Sequence, residues 1–199
     1  MTNESTFRAV ALANILLVLP IGLYFRIQSQ RTGEPLARRE EGLVVMIGLR
    51  LCGLLAWLIL AGYVLNPSRV SWGSVTVPVQ LRWAGAFLGM AVVPPLWFWT
   101  FRTLGKNLTD TVVTRREHTL VTTGSYRWVR HPFYIVVSLF GFAIFLEIAN
   151  GAFAILGFVV MAFLVVRTRT EEAKLAERFG DEYRAYAGRT GRFFPRLSR

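Results

Sequence analysis

The chain has 199 residues, of which 53% are apolar, and a formal charge of +11 at pH 7. Its apolar residues stand in blocks of about 20, the length a helix needs to cross roughly 30 Å of hydrocarbon, which excludes a soluble domain and leaves one integral membrane domain over 1–199. The positive charge fits cytoplasmic loops and not nucleic acid. Cys52 as the one cysteine, with His118 and His131 as the two histidines, excludes an internal disulfide and a Cys/His metal site.

The N-terminal MTNESTFRAV carries an acid before its only arginine, and the run after it is too long for a signal core. It is therefore read as leading into a first span, about 7–25, with Pro20 near its end. A polar, basic segment follows, and the second span covers about 42–65 with Arg50 inside it. For that arginine two readings stand: a structural one, pairing or snorkelling, and a functional one. The turn-rich NPSRVSWGSVTVP links to a third span, about 79–101, in which Pro94-Pro95 must bend or interrupt the helix and Arg82 is expected to snorkel. The last apolar run is too long for one crossing, and E-I-A-N-G at 147–151 divides it into a tight hairpin of spans 132–147 and 151–166. The fold class expected is thus an all-α polytopic membrane protein with five transmembrane helices, the last two a hairpin, followed by a cytoplasmic amphipathic helix.

Charge gives the orientation. Arg26, Arg31, Arg38 and Arg39 follow span one; Arg102, Lys106, Arg115, Arg116, Arg127 and Arg130 follow span three; nine more follow span five. Five spans put all three groups on one face, which the positive-inside rule makes cytoplasmic together with the C-terminus. The excess of arginine over lysine points to a GC-rich genome, and in a bacterium the membrane would be the inner one. Orientation also places the sequon Asn107-Leu108-Thr109 in the cytoplasm, where it is not used. The final RLSR lacks a prenylation box, so the chain is not read as a lipidated product.

Three polar stretches on that face carry candidate chemistry. Leu175, Phe179, Tyr183 and Tyr186 recur at helical spacing, predicting an amphipathic helix from about Thr170 to Tyr186 with a break at Gly180. Glu171-Glu172 near its start fit either an ion-pair cluster with the neighbouring arginines or a binding site. HTLVTTGSY, 118–126, reads as extended chain, either an ordinary loop or a segment offering backbone groups to a ligand. GSYRWVRHPFY, 124–134, has the aromatic and basic collar of a membrane helix with Pro132 in its first turn. His131 in that collar is also able to hydrogen-bond or orient a ligand.

LVTTGSYRWVRHPFY resembles the G-x-Y-x-x-x-R-H-P-x-Y segment of the isoprenylcysteine carboxyl methyltransferases and the related phospholipid methyltransferases. RTRTEEAKLAERFGDEYRAYAGRTGRFFPR is similar to their R…E-E…L…F-G-x-x-Y…Y ending, and the likeness covers about 104–196. It implies transfer of a methyl group from S-adenosylmethionine inside a membrane fold, and no strand followed by a Gly-rich turn and helix offers a soluble-type alternative. By position it implies cofactor contacts at His118, Thr119, Leu120, Val121, Tyr126, His131, Pro132, Phe133, Tyr134 and Glu171. Arg167 would address the acceptor, with supporting places for Arg130 and Glu172.

The acceptor implied is an isoprenylcysteine-type or other lipid-like carboxylate, reached from the bilayer and needing no general base and no metal. An alternative acceptor is a phospholipid amine, which must lose a proton before attack and so needs a base such as Glu171 or Glu172. A third reading, from another class, is a non-catalytic membrane protein that binds a lipid or a partner on the same scaffold.

Overall fold

The computed structural model describes residues 4–31, 43–105 and 119–196. His118, the basic residues of 32–42 and 106–118, and the sequon lie outside them. In chain order the helices are α1 (Glu4–Arg31), α2 (Leu43–Leu65), α3 (Val79–Phe87), α4 (Val93–Leu104), α5 (Pro132–Ile148) and α6 (Gly151–Arg189). Short 3₁₀ turns occupy Pro67–Gly73 and Gly124–Arg127, and a π turn, Leu88–Val92, joins α3 to α4. Among the described residues extended pairing is confined to two isolated bridges, Ser74 with Asn150 and Val129 with Gly191.

Among the described residues four stretches are long and apolar enough to cross a membrane: Glu4–Gln28, Val44–Leu65, Val79–Leu104 and Gly151–Arg189. The chain is accordingly an integral, multi-pass membrane protein. Helix α5 is equally apolar but has 17 residues, about 25 Å at 1.5 Å per residue. Leu16, Leu51, Phe87 and Phe158 stand exposed on the outer helix faces, where hydrocarbon and not water would cover them. Arg50 is exposed on α2 as well.

The expected disturbance at Pro94-Pro95 takes a specific form. Both prolines lie in the first turn of α4, where their missing N–H groups cost little. The π turn just before them takes up the change of register without ending the helix. Gly89 in that turn lies against the Asn14 side chain of α1, and an added Cβ would come within 2.6 Å of it. Asn14 in turn donates through Nδ2 to Glu147 Oε1 of α5 at 2.6 Å, both residues being fully buried.

Arg82 does not snorkel. Its guanidinium donates to both carboxylate oxygens of Glu4 at 2.9 Å, to the Tyr63 hydroxyl at 3.0 Å and to the Glu147 carbonyl, and it lies 3.8 Å over the Phe7 ring. A free arginine end is therefore replaced by a clamp joining α1, α2, α3 and α5, because four helices converge there. An apolar cluster of Phe7, Leu60, Tyr63, Ile144 and Phe153 packs beneath it.

The hairpin turn is built as the sequence leads one to expect. Ala149 takes a left-handed conformation (φ 48°) after α5, and Asn150 caps α6 by accepting from the Phe153 N–H at 3.0 Å. Asn150 also donates to the Val70 carbonyl and the Val75 N–H to the Ala149 carbonyl, so the turn is docked on the 67–75 link. Beyond it the structure departs from expectation. No separate helix begins near Thr170; α6 runs on from the apolar segment without interruption. Its one break is at Gly180 (φ 53°, ψ −124°), where the helix changes direction.

Candidate functional site

The segment 119–131, the first turn of α5 and the charged half of α6 meet at one end of the bundle. The local sequence dictates how they are presented. Gly124 has φ 57°, and a Cβ there would collide with the Thr103 hydroxyl of α4, so glycine allows both the turn and the close approach. The 3₁₀ turn it opens carries Tyr126. His131 occupies the cap position before α5, and Pro132 supplies the pre-set first helical residue.

Arg167, Glu171, Glu172 and Leu175 follow each other around α6 at helical spacing. Arg167 Nε donates to Glu171 Oε1 at 3.0 Å, the i,i+4 relation. The same oxygen accepts the Tyr134 hydroxyl at 2.5 Å. His131 stands between the two glutamates, with Nδ1 3.5 Å from Glu171 Oε2 and Nε2 3.1 Å from Glu172 Oε1, and its ring stacks on that of Tyr134 at 5.5 Å. Arg130 Nε donates to Glu172 Oε1 at 2.9 Å.

Burial by itself would raise the Glu172 carboxyl. Hydrogen bonds from His131, Arg192 and Arg130 outweigh it and hold the group well below the usual carboxylate range. Glu172 is thus ionised, and an ionised carboxylate only accepts.

Next to this network lies a void of about 100 Å³ lined by Leu104, Thr119, Leu120, Val121, Tyr126, Arg130, His131, Leu175, Tyr183 and Tyr186. Tyr186 crosses its wall to donate to the Tyr126 carbonyl at 2.7 Å. The Tyr183 hydroxyl is buried beside Arg130 without a hydrogen bond of good geometry, and burial, then the Glu172 charge, push it up to about 12. Burial likewise raises the Tyr126 phenol, with Glu171 and Tyr186 adding to the effect.

Of the residues singled out in the sequence, Thr119, Leu120, Val121, Tyr126, Arg130 and His131 border the void, while Tyr134, Arg167, Glu171 and Glu172 form the polar network. Pro132 is buried at the head of α5. Phe133 points elsewhere: its ring lies 5.9 Å from Trp97 and 5.5 Å from Phe101, in an aromatic layer between α4 and α5. His118 falls outside the described residues. Leu104, Leu175, Tyr183 and Tyr186 also line the void, and Arg192 joins the network, although no motif in the sequence marks any of them for the site. Leu175 and both tyrosines were visible as an apolar stripe, which pointed to packing but not to what it packs on. For Arg192 there was no local signal.

Residues 87–177 match the model of the isoprenylcysteine carboxyl methyltransferase (ICMT) family. The likeness carried by the two motifs is thus a likeness to this family, and the matched part runs from the end of α3 into α6, stopping short of Gly180. The cobalt-zinc-cadmium resistance protein CzcN of Cupriavidus metallidurans is 41% identical over 87 residues, 42% of this chain and 39% of that protein. The protein-S-isoprenylcysteine O-methyltransferase of Schizosaccharomyces pombe is 37% identical over 87 residues, 41% of this chain and 36% of its own. That of Saccharomyces cerevisiae is 36% identical over 92 residues, 45% of this chain and 38% of its own. The chain therefore spans about two fifths of the length of the curated relatives it matches.

Proposed function

We propose that this protein is an S-adenosylmethionine-dependent membrane methyltransferase acting on a lipid-like carboxylate of the isoprenylcysteine type, with 104–196 as the catalytic part of a single membrane domain. The observation that carries the reading is that the two motif segments, kept apart in the chain by the α5–α6 hairpin, meet side chain to side chain through Tyr134–Glu171 and His131–Glu172.

The donor set fits the cofactor. A carboxylate, an imidazole, tyrosine hydroxyls and the backbone of residues 119–121 suit a zwitterionic methionine end and an aromatic base without a metal. Tyr183, a buried hydroxyl left without a well-formed hydrogen bond in the void wall, is a further group available to a polar ligand. The cofactor, when bound, supplies an already activated sulfonium methyl, so the protein's part is to align donor and acceptor and exclude water. His131, Tyr134 and Glu171 are assigned to the cofactor together with 118–121, Tyr126, Pro132 and Phe133. Phe133 acts from behind, through the aromatic layer that seats the start of α5.

Arg167 would hold the acceptor carboxylate by charge-assisted hydrogen bonds. A carboxylate acceptor is favoured over an amine because Arg167 offers it a cation, and because Glu172, one of the two glutamates able to serve an amine as a base, is tied to arginines. Glu172 is bound by Arg130 and Arg192, and Glu171 Oε1 already accepts from Tyr134 and Arg167.

Five spans, with α5 as the short one, would place 119–131 and the second half of α6 on the cytoplasmic face, in a bacterium that of the inner membrane. The partition of arginine and lysine between the loops supports this arrangement, and single cysteines at Val75 and Phe194 labelled from opposite sides of sealed vesicles test it.

The activity is tested with purified protein, a labelled methyl donor and a farnesylcysteine whose amine is blocked, alongside a phospholipid amine. The expected product is a methyl ester, which releases labelled methanol in alkali; an alkali-stable N-methyl product would overturn the carboxylate assignment. Absence of binding to S-adenosylhomocysteine by folded protein would leave only the non-catalytic reading.

A further inference from the structure

The chain beyond α6 returns to the site as a strap, residues 190–196. The Arg130 N–H donates to the Gly191 carbonyl at 2.8 Å and the His131 N–H to the Arg192 carbonyl at 3.1 Å. The Arg130 guanidinium reaches back to the carbonyls of Ala187 and Thr190. Gly191 is required for this path, because a Cβ would run into the Phe194 carbonyl. The Phe193 ring closes over His131 at 5.8 Å.

Arg192, held there by backbone on both sides, grips Glu172 with a fork: Nε to Oε1 at 3.0 Å and Nη2 to Oε2 at 2.5 Å. The fork fixes the plane of the carboxylate. Oε1 is thereby presented to His131 Nε2 at 3.1 Å, within hydrogen-bond distance, whereas Glu171 Oε2 stands 3.5 Å from Nδ1; both oxygens only accept, so a neutral ring places its one proton on Nε2. In a neutral ring Nδ1 is then a bare acceptor, on the edge that faces Glu171 Oε2.

We propose that Arg192 is a positioning residue of the cofactor site: by locking Glu172 it selects the Nε2–H tautomer of His131 and leaves His131 Nδ1 and Glu171 Oε2 as adjacent acceptors for the ammonium group of the methyl donor. The tautomer and the acceptor edge belong to the protein alone; their use by an ammonium rests on the methyltransferase reading above. Arg192 works without touching the ligand, through a carboxylate twenty residues earlier in the chain. This parallels the way an outer-shell carboxylate orients a ligating histidine.

Two measurements separate the proposal from the reading it rests on. Nitrogen NMR of histidine-labelled full-length protein, without ligand and at alkaline pH where imidazole is neutral, reports the tautomer; with His118→Gln the remaining signal is His131. Wild type is expected to show a protonated Nε2, and Arg192→Ala and Glu172→Gln a mixture of tautomers. In calorimetry with S-adenosylhomocysteine, Arg192→Ala is expected to weaken binding on the order of tenfold, and Arg192→Lys less. If Arg192→Ala does not fold, Glu172→Gln reaches the same ring by the other end of the pair. Wild type with a protonated Nδ1, or an Arg192→Ala variant with unchanged tautomer and affinity, overturns the proposal. A wild type that shows the Nε2–H tautomer but binds no S-adenosylhomocysteine removes the cofactor reading and with it the ammonium assignment, while the tautomer result stands.

Discussion

The Tyr134 hydroxyl donates to Glu171 Oε1 at 2.5 Å, joining the first turn of α5 to the charged half of α6 across 37 residues of chain. Hydrogen bonds to a charged partner are worth about 1.5–3 kcal/mol. Tyr134→Phe keeps the ring and its stacking on His131 while removing the bond. It should weaken S-adenosylhomocysteine binding by roughly ten- to a hundredfold, measured by titration calorimetry in detergent. An unchanged affinity would take Glu171 out of the proposed cofactor site.

Arg167 donates to that same oxygen, so the roles proposed for acceptor and cofactor are not energetically separate. Arg167→Ala is expected mainly to raise the acceptor KM, and Glu171→Gln mainly to weaken the cofactor. The double variant should show a coupling of about 0.5–3 kcal/mol in kcat/KM, the range for residues in contact. Strict additivity would mean that the two side chains part company when substrates bind.

Glu172 predicts a pH signature. Its carboxyl lies below the usual range when folded, so its stabilising contribution is present above the unfolded value of about 4.3 and is lost only as pH falls through the lower folded value. The gap in thermal stability between wild type and Glu172→Gln should stay level from neutral pH to about pH 5 and close in stronger acid. Were the gap to close well above pH 5, the clasp of Arg130, Arg192 and His131 on Glu172 would not exist in solution.

Gly180 turns α6 so that Tyr183, Tyr186 and the strap reach the site. Its φ of 53° with ψ of −124° suits glycine, and nothing lies within 4 Å of where a Cβ would stand. Gly180→Ala therefore introduces backbone strain alone, about 1–3 kcal/mol. Relief by straightening the helix would draw the strap off His131. The expected result is a lower thermal midpoint together with weaker S-adenosylhomocysteine binding; a variant indistinguishable from wild type in both would show that the turn is held elsewhere.

Much of this architecture is legible along the chain because its causes are local. An apolar block of membrane length folds as a helix wherever it sits, since lipid offers the backbone no other hydrogen-bond partners. Asn150 caps α6 and Gly180 breaks it through properties of their own positions. The pairing of Tyr126, His131 and Tyr134 with Glu171 was readable only as resemblance, because nothing in either motif says that they touch. Where expectation failed, the deciding term was distant. Along the chain Arg82 looks like a snorkelling cation, because Glu4, Tyr63 and the Glu147 carbonyl are far from it in sequence. The amphipathic helix looks separate in the sequence because charge changes at Arg167, although the backbone runs on through it.

By itself, then, the sequence determined that the chain enters a membrane, where its helices begin and turn, and which residue types stand ready at one face. Hydropathy, caps and glycine conformations act within a few residues and need no partner. Only the tertiary structure decided which of two adjacent glutamates meets which cation, that Phe133 turns away from the void, and that Arg192 returns to grip Glu172. Ion pairs and hydrogen bonds act over about 3 Å, so their partners are settled only when the hairpin and the Gly180 turn have brought distant segments together.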